Sequence, residues 1–197
     1  MGRIHQATAG QHIERIQYDA ETLVDRPFRE LLSFLPEDAE ETAYMHRVHA
    51  YLNQQLPSLS TATFKMGVVH MDIWFDNFNI TTEGKITLFD FDFCGNGWQC
   101  IDVAYYMMQL FVTEPIETEY LSKLDAFFAG YTAVCQLSNE EKGILPTLGI
   151  ALYVFYLGIQ CQRFETFSSI FLNEAYLKRY IIVRIKKYAD YYKLPVG

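Results

Sequence analysis

Three polar side chains with a regular spacing, Asp72, Asn77 and Asp90, are the residues of this sequence best suited to chemistry. Asp72 and Asn77 stand five residues apart, and Asp90 follows them after two short apolar runs. A carboxylate such as that of Asp72 can orient and deprotonate an attacking hydroxyl. Amide and carboxylate oxygens, as in Asn77 and Asp90, are ligands that Mg²⁺ accepts. The spacing therefore predicts a site that activates a hydroxyl beside a Mg²⁺ ion.

This combination of groups is typical of phosphoryl transfer from ATP, in which the protein mainly positions the reactants and stabilises charge. In protein kinases an Asp is followed five residues later by an Asn, and a second Asp comes after a β-hairpin. We therefore predict that Asp72 is the catalytic carboxylate, and that Asn77 and Asp90 bind Mg²⁺ and, through it, ATP. A simpler interpretation, in which these residues only organise turns, explains their order along the chain less well.

The same residues resemble the aminoglycoside phosphotransferase and choline kinase branch of the kinase-like fold. That family has a loop reading H-G-D, four residues and N, followed by I-D-F and D-x-A patterns. The matching residues here are His70, Asp72, Asn77, Asp90-Phe91 and Asp102-Val103-Ala104. The stretch from Phe127 to Arg163 is similar to bacterial members such as stress-response kinases and type II homoserine kinases. We expect His70 to support the site by hydrogen bonds rather than by transferring protons, and Asp102 to act as a structural acceptor rather than as a metal ligand.

Two positions depart from the family pattern. Met71 replaces the usual glycine of the loop, so we expect a changed loop backbone or a changed clearance from the substrate. Asp92 stands where glycine is common, although acidic residues occur there in bacterial relatives. Its carboxylate could act behind the metal ligands or could simply be solvated.

The sequence lacks the parts that grip ATP in kinases, which are a glycine-rich loop and a lysine upstream of the catalytic loop. The first lysine is Lys65, and only Gly2 and Gly10 precede Gly67. We therefore expect residues 1–197 to form the C-terminal, catalytic-loop lobe of a kinase-like phosphotransferase, with the N-terminal ATP-gripping lobe absent. Such a chain would turn over ATP poorly by itself. The sequence leaves open whether it is an excised piece, a truncated gene product or half of a split enzyme.

The elements that position these residues are few strands and many helices. Residues 67–70, 78–80 and 86–89 are predicted as strands, the last two forming a hairpin that carries the catalytic and metal loops. Helices are predicted near 100–112, 117–134, 139–162 and 168–192. Two capping-box patterns, Asp38 with Glu41 and Ser138 with Glu141, mark helix starts. The fold class is therefore α+β and mostly helical, the C-terminal lobe of a protein-kinase-like fold.

Composition indicates a folded protein, because half of the 197 residues are hydrophobic and 16% are aromatic. The net charge is −8, although residues 178–197 carry six Lys/Arg against one Asp. This acidity argues against nucleic acid as a partner. Four cysteines without metal-binding spacing, and a polar start of the chain, favour a reduced protein of the cytoplasm. The uncharged stretch 143–162 is long enough to span a membrane, but its polar residues favour a buried helix.

The leading hypothesis is an ATP-dependent phosphotransferase lobe that acts on the hydroxyl of a small molecule such as an aminoglycoside or an amino alcohol. Its expected partners are that substrate and the ATP-gripping lobe, in the same chain or in another. The alternative is a catalytically incompetent lobe that binds a partner or self-associates through its exposed interlobe surface. A weaker alternative is a protein that docks on membranes through its basic C-terminus. No residue identifies the phosphate acceptor.

Overall fold

The computed structural model describes residues 1–57 and 64–197, which form two compact units. Unit 1 comprises residues 1–18 and 64–145, and unit 2 comprises residues 19–57 and 146–197 of the described chain. The boundary falls inside a single long helix, between Leu145 and Pro146. All of the residues predicted to do chemistry belong to unit 1.

Unit 1 contains two antiparallel pairs of short strands. Strand β1 (Met66–Val69) pairs with β4 (Gly95–Trp98), with Gly67 opposite Gly97. Strands β2 (Phe78–Ile80) and β3 (Ile86–Leu88) form the predicted hairpin, and Gly84 in its turn has a φ of +78°. Glycine adopts this left-handed conformation without steric cost. The hairpin thus separates the loop of Asp72 from the loop of Asp90.

Unit 1 also contains three complete helices. They are α1 (Gly2–Thr8), α4 (Cys100–Thr113) and α5 (Glu117–Thr132). Helix α4 is the best buried of them, since eight of its residues, including Asp102 and Tyr105, lie in the core. Its start follows directly on β4, so a buried helix is anchored to the strand that pairs with β1.

Unit 2 is helical. A π-helical turn (Glu21–Asp25) leads into α2 (Arg26–Leu32), and α3 (Glu40–Gln55) follows. Near the C-terminus, α7 (Glu174–Tyr180), a π-helical segment (Ile181–Lys186) and α8 (Lys187–Tyr191) succeed one another. Side chains of the terminal segment, among them Ile181, Ile185 and Tyr188, belong to the core. The basic residues of this segment are exposed or half-buried, and Val183 is also exposed.

The uncharged stretch forms helix α6 (Asn139–Gln162), as predicted. Within the described part of the chain it is the one helix long and apolar enough to span a membrane, but 72% of its most apolar window is buried. This burial is typical of a core helix. The start of α6 has the predicted capping box, because the Glu141 N–H donates to Ser138 Oγ at 3.0 Å and the Ser138 N–H donates to Glu141 Oε2 at 2.8 Å.

Other local predictions were wrong. Helix α3 begins at Glu40 after Ala39, and no side chain caps it, so Asp38 and Glu41 do not form a capping box. Strand β4 was not predicted, because two glycines in four residues give no strand pattern; the pairing with β1 imposes it. The single helix expected over 168–192 begins only at Glu174, after a separate 3₁₀ turn (Ser168–Ile170).

Candidate functional site

The backbone of the catalytic loop is held by one buried carboxylate. Asp102 on α4 is fully buried and accepts the His70 N–H and the Met71 N–H, each at 2.8 Å. Met71 has a φ of +65°, the left-handed conformation that glycine prefers. The backbone at this position is therefore one that a glycine could adopt without strain. The Met71 side chain is fully buried, so it projects into the core rather than into the space in front of the loop.

A histidine from the first helix completes the surroundings of Asp102. His5 Nε2 lies 3.0 Å from Asp102 Oδ2, and His5 Nδ1 lies 2.7 Å from the hydroxyl of Tyr131 on α5. Burial raises the pKa of Tyr131, so this hydroxyl stays protonated. The chain of contacts joins α1, α5 and α4 to the loop, and it positions the two residues that precede Asp72.

Two uncharged groups grip the carboxylate of Asp72. The Tyr105 hydroxyl donates to Asp72 Oδ1 at 2.6 Å, and Asn77 Nδ2 donates to Asp72 Oδ2 at 3.0 Å. Asn77 Nδ2 also donates to the backbone carbonyl of Asp72 at 2.9 Å. Because both partners of this amide nitrogen are acceptors, the amide oxygen of Asn77 must face away from Asp72.

His70 connects the catalytic loop with the strand that leads to Asp90. Its Nδ1 accepts the Asp72 N–H at 3.2 Å, which leaves the proton on Nε2 to be donated to the Phe89 carbonyl at 3.2 Å. The Phe89 N–H in turn donates to the Asn77 carbonyl at 3.1 Å. Asp90 therefore directly follows Phe89, whose backbone is hydrogen-bonded to both His70 and Asn77.

The Asp90 carboxylate is exposed, and within the described residues it has no hydrogen bond or ion pair. Its φ of +63° turns the backbone sharply at the end of the hairpin. The segment that follows is fixed from the other side of unit 1, since the Arg15 guanidinium donates to the Asp92 carbonyl at 2.7 Å and the Tyr18 hydroxyl donates to the Phe93 carbonyl at 2.6 Å. The Asp90 carboxylate is thus free to bind a ligand, while hydrogen bonds fix the backbone that follows it.

An apolar cavity of about 480 Å³ adjoins the loop within unit 1. Ile73 and Phe75 of the loop contribute to its lining, and so do the hairpin residues Ile80 and Ile86. Phe75, Ile80 and Ile86 are each more than half exposed. Exposed apolar surface of this extent commonly marks a place where another group packs.

Sequence reasoning missed two residues of this arrangement. Tyr105 follows Asp102 by three residues on α4, and this helical spacing places both side chains on one face of the helix. That signal was available once Asp102 had been singled out. His5 had no comparable signal, because its contact with Asp102 spans 97 positions of the chain.

The chain is similar to proteins of one known family. The model of the phosphotransferase enzyme family matches residues 2–137. An uncharacterised protein of Synechocystis sp. is 28% identical over 160 residues, which cover 80% of this chain and 42% of that protein. A homoserine kinase of Rhodopseudomonas palustris is 31% identical over 106 residues, covering 52% of this chain and 32% of the relative.

Two solved kinases share the fold. An amicoumacin kinase in complex with AMP-PNP, Ca²⁺ and its ligand superimposes with a TM-score of 0.70 at 23% identity, covering 100% of this chain and 57% of the other. A microcompartment-associated aminopropanol kinase gives a TM-score of 0.68 at 20% identity, covering 93% and 56%. The chain therefore spans about half the length of the proteins it matches.

Proposed function

Because this chain belongs to the phosphotransferase enzyme family, we propose that it transfers the γ-phosphate of ATP to a hydroxyl of a small molecule. The observation that supports the proposal most directly is that Tyr105 and Asn77 donate hydrogen bonds to the carboxylate of Asp72. The backbone of the same loop is fixed by its hydrogen bond to Asp102. Phosphoryl transfer depends mainly on such positioning.

Asp72 is the group that would act on the acceptor. An ionised carboxylate offers about four lone-pair sites, and hydrogen bonds from Tyr105 and Asn77 occupy one on each oxygen. Each oxygen keeps a lone pair for the acceptor's hydroxyl. The residue would orient that hydroxyl toward the γ-phosphorus and take its proton as the new O–P bond forms, while the bond from the γ-phosphorus to the β–γ bridging oxygen breaks and ADP leaves.

The oxygens of Asn77 and Asp90 suit a Mg²⁺ ion. The amide oxygen of Asn77 faces away from Asp72, and the Asp90 carboxylate is exposed without a partner among the described residues. Both are hard oxygen donors, the type that Mg²⁺ prefers. When bound, Mg²⁺ would neutralise charge on the transferred phosphate.

We further propose that this chain supplies the catalytic-loop lobe of the enzyme and that a separate lobe grips the nucleotide. The proposal rests on the length comparison, in which the chain covers 56–57% of the two kinases. It also rests on the exposed apolar side chains Phe75, Ile80 and Ile86 beside the loop. We expect such a lobe to cover part of this surface and to fix ATP relative to Asp72.

The acceptor we propose is an amino alcohol. Two relatives are named for aminopropanol and for homoserine, compounds that each carry an amine and a hydroxyl. The exposed carboxylate of Asp92 stands two residues after Asp90 in sequence and would favour a cationic group in front of the loop.

A phosphotransfer assay with labelled ATP and Mg²⁺ tests the proposal. The 197-residue chain is assayed alone and after fusion to the nucleotide-binding lobe of the amicoumacin kinase. The acceptors are aminopropanol, homoserine, choline and an aminoglycoside. We expect label to appear in an amino-alcohol product with the fused protein, and to appear slowly or not at all with the chain alone. Absence of product from the folded fusion with every acceptor would refute the proposed activity, whereas robust turnover by the chain alone would refute the need for a second lobe.

A further inference from the structure

Tyr105 has an unusual position for a core tyrosine, because its hydroxyl reaches the carboxylate of the candidate catalytic residue. The residue is only 2% exposed, so its ring belongs to the core of unit 1. Its hydroxyl lies 2.6 Å from Asp72 Oδ1, a short distance typical of a hydrogen bond to an ionised group. A buried tyrosine hydroxyl generally has a polar partner, and here that partner is Asp72.

Gln109 settles the direction of this hydrogen bond. Gln109 stands one helical turn after Tyr105 on α4, and its Nε2 donates to the Tyr105 hydroxyl oxygen at 3.1 Å. The hydroxyl therefore accepts from Gln109 and has its own proton free to donate. Since an ionised carboxylate can only accept, the order of donation is Gln109 to Tyr105 to Asp72.

We propose that Tyr105 is a positioning residue that fixes the catalytic carboxylate, an inference that rests on the proposed function. Asn77 holds Asp72 Oδ2 and Tyr105 holds Asp72 Oδ1, so the plane of the carboxylate is fixed at both oxygens. With Tyr105 removed, the carboxylate keeps only the contact with Asn77 and can rotate about its last side-chain bond. Rotation moves the lone pairs that would receive the acceptor's hydroxyl, and misplacement of a reacting group by about 1 Å can cost on the order of 10²-fold in rate.

Because Tyr105 lies on the buried helix α4, its hydrogen bond to Asp72 starts from a rigid element. Asp102, three residues earlier on the same helix, holds the backbone of the loop, whereas Tyr105 holds the side chain at its tip. One buried helix thus fixes both the main chain and the carboxylate of the catalytic loop. Catalytic groups held by a rigid element in this way keep their geometry better than groups held by loops alone.

Carboxyl-carbon NMR of the 197-residue chain tests the contact without requiring turnover. The chain is labelled with aspartate carrying ¹³C at Cγ, and the Asp72 signal is assigned by its loss in Asp72→Asn. We expect Tyr105→Phe to move or broaden the Asp72 signal. The matched control is Tyr106→Phe, which removes a hydroxyl from the next residue of the same helix and should leave that signal in place. An unmoved Asp72 signal in folded Tyr105→Phe would overturn the proposal.

Gln109→Met is a second variant that leaves the tyrosine intact. It removes the donor behind the Tyr105 hydroxyl, so we expect the Asp72 signal to move in the same direction as in Tyr105→Phe, but less. This variant keeps the test decisive if Tyr105→Phe fails to fold. If Tyr105→Phe does not fold and the Asp72 signal is unchanged in Gln109→Met, the proposal is also overturned.

The kinetic part of the test uses the fused enzyme and separates positioning from structural support. We expect Tyr105→Phe to lower kcat by about 10- to 100-fold with KM for ATP and acceptor changed less than twofold. If Asp72→Asn abolishes turnover while Tyr105→Phe retains the full kcat, the positioning role is wrong and the proposed function stands. If Asp72→Asn retains full turnover, the assignment of Asp72 as the catalytic residue is wrong, and the NMR experiment still decides whether Tyr105 holds Asp72.

Discussion

Replacement of Asp102 by asparagine isolates the charge that holds the catalytic loop, because the two side chains have nearly the same shape. In the native chain Asp102 Oδ1 accepts the Met71 N–H, and Oδ2 accepts the His70 N–H and lies 3.0 Å from His5 Nε2. The asparagine amide has one oxygen and one NH₂ group. In either orientation the NH₂ group faces a backbone N–H, so at least one buried donor loses its acceptor.

The cost follows from these contacts. A buried N–H without a partner costs about 1–3 kcal/mol, and a hydrogen bond to a neutral acceptor contributes about 1 kcal/mol less than one to a charged acceptor. Together these effects predict a loss of about 2–4 kcal/mol in the free energy of unfolding. For a chain of 150–250 residues, each kcal/mol corresponds to about 2–4 °C in Tm, so the expected decrease is roughly 4–16 °C.

Thermal unfolding followed by circular dichroism measures this decrease, and Asp76→Asn provides the matched control. Asp76 is an exposed residue of the same loop, and its replacement removes the same charge without touching a buried donor. We expect the control to change stability by less than about 0.5 kcal/mol. A Tm for Asp102→Asn within about 2 °C of the control would refute the reasoning that this buried carboxylate holds the loop.

Three further outcomes follow from the packing of the chain. Burial raises the pKa values of six tyrosines, so these phenols stay protonated in the folded chain at a pH where those of the unfolded chain ionise. The residues are Tyr18, Tyr44, Tyr106, Tyr131, Tyr153 and Tyr180. The free energy of unfolding should therefore fall as the pH rises above about 10, by up to ~1.4 kcal/mol per pH unit for each tyrosine. A urea midpoint that stays constant from pH 9 to pH 11 would contradict this prediction. Burial raises the pKa of Cys161 to about 12 and also raises that of Cys100. A thiol reagent should therefore label the native chain slowly and the urea-unfolded chain quickly. Equal labelling rates would be evidence against buried thiols. Gly67→Ala should destabilise the chain by about 1–3 kcal/mol, because the new Cβ would lie 2.6 Å from the Thr8 carbonyl oxygen. Gly143→Ala should instead stabilise helix α6 by about 0.5–1 kcal/mol, because its new Cβ would meet no neighbouring group within 4 Å. Urea unfolding of the two variants measures both changes.

The sequence predicted those features that depend on neighbours along the chain. Helix α6 was predicted with its observed ends because twenty uncharged residues are preceded by Ser138 and Glu141, which cap it. The hairpin β2–β3 was predicted because two apolar runs flank a turn with Gly84. The family resemblance was confirmed by the match over residues 2–137 and by the two kinase structures.

Features that depend on residues distant in sequence were not predictable in the same way. Strand β4 has the sequence Gly-Asn-Gly-Trp, and only its pairing with β1 makes it a strand. His5 reaches Asp102 across 97 positions, so no local pattern could connect them. The left-handed backbone of Met71 goes against the residue's own preference, and it is held by the hydrogen bond that the Met71 N–H donates to Asp102. The roles of Asp72, Asn77 and Asp90 in turnover stay predictions.

The most direct test of the account is the rate of phosphate transfer in the fused enzyme with and without the carboxylate of Asp72. Asp72→Asn keeps the size of the side chain and removes its ability to accept a proton, and Asp76→Asn makes the same change four residues away on the exposed part of the loop. With labelled ATP and an amino-alcohol acceptor, we expect kcat to fall by about 10²- to 10⁴-fold in Asp72→Asn and by less than threefold in Asp76→Asn. A kcat for Asp72→Asn within threefold of the unmodified enzyme would contradict the assignment of Asp72 as the catalytic residue.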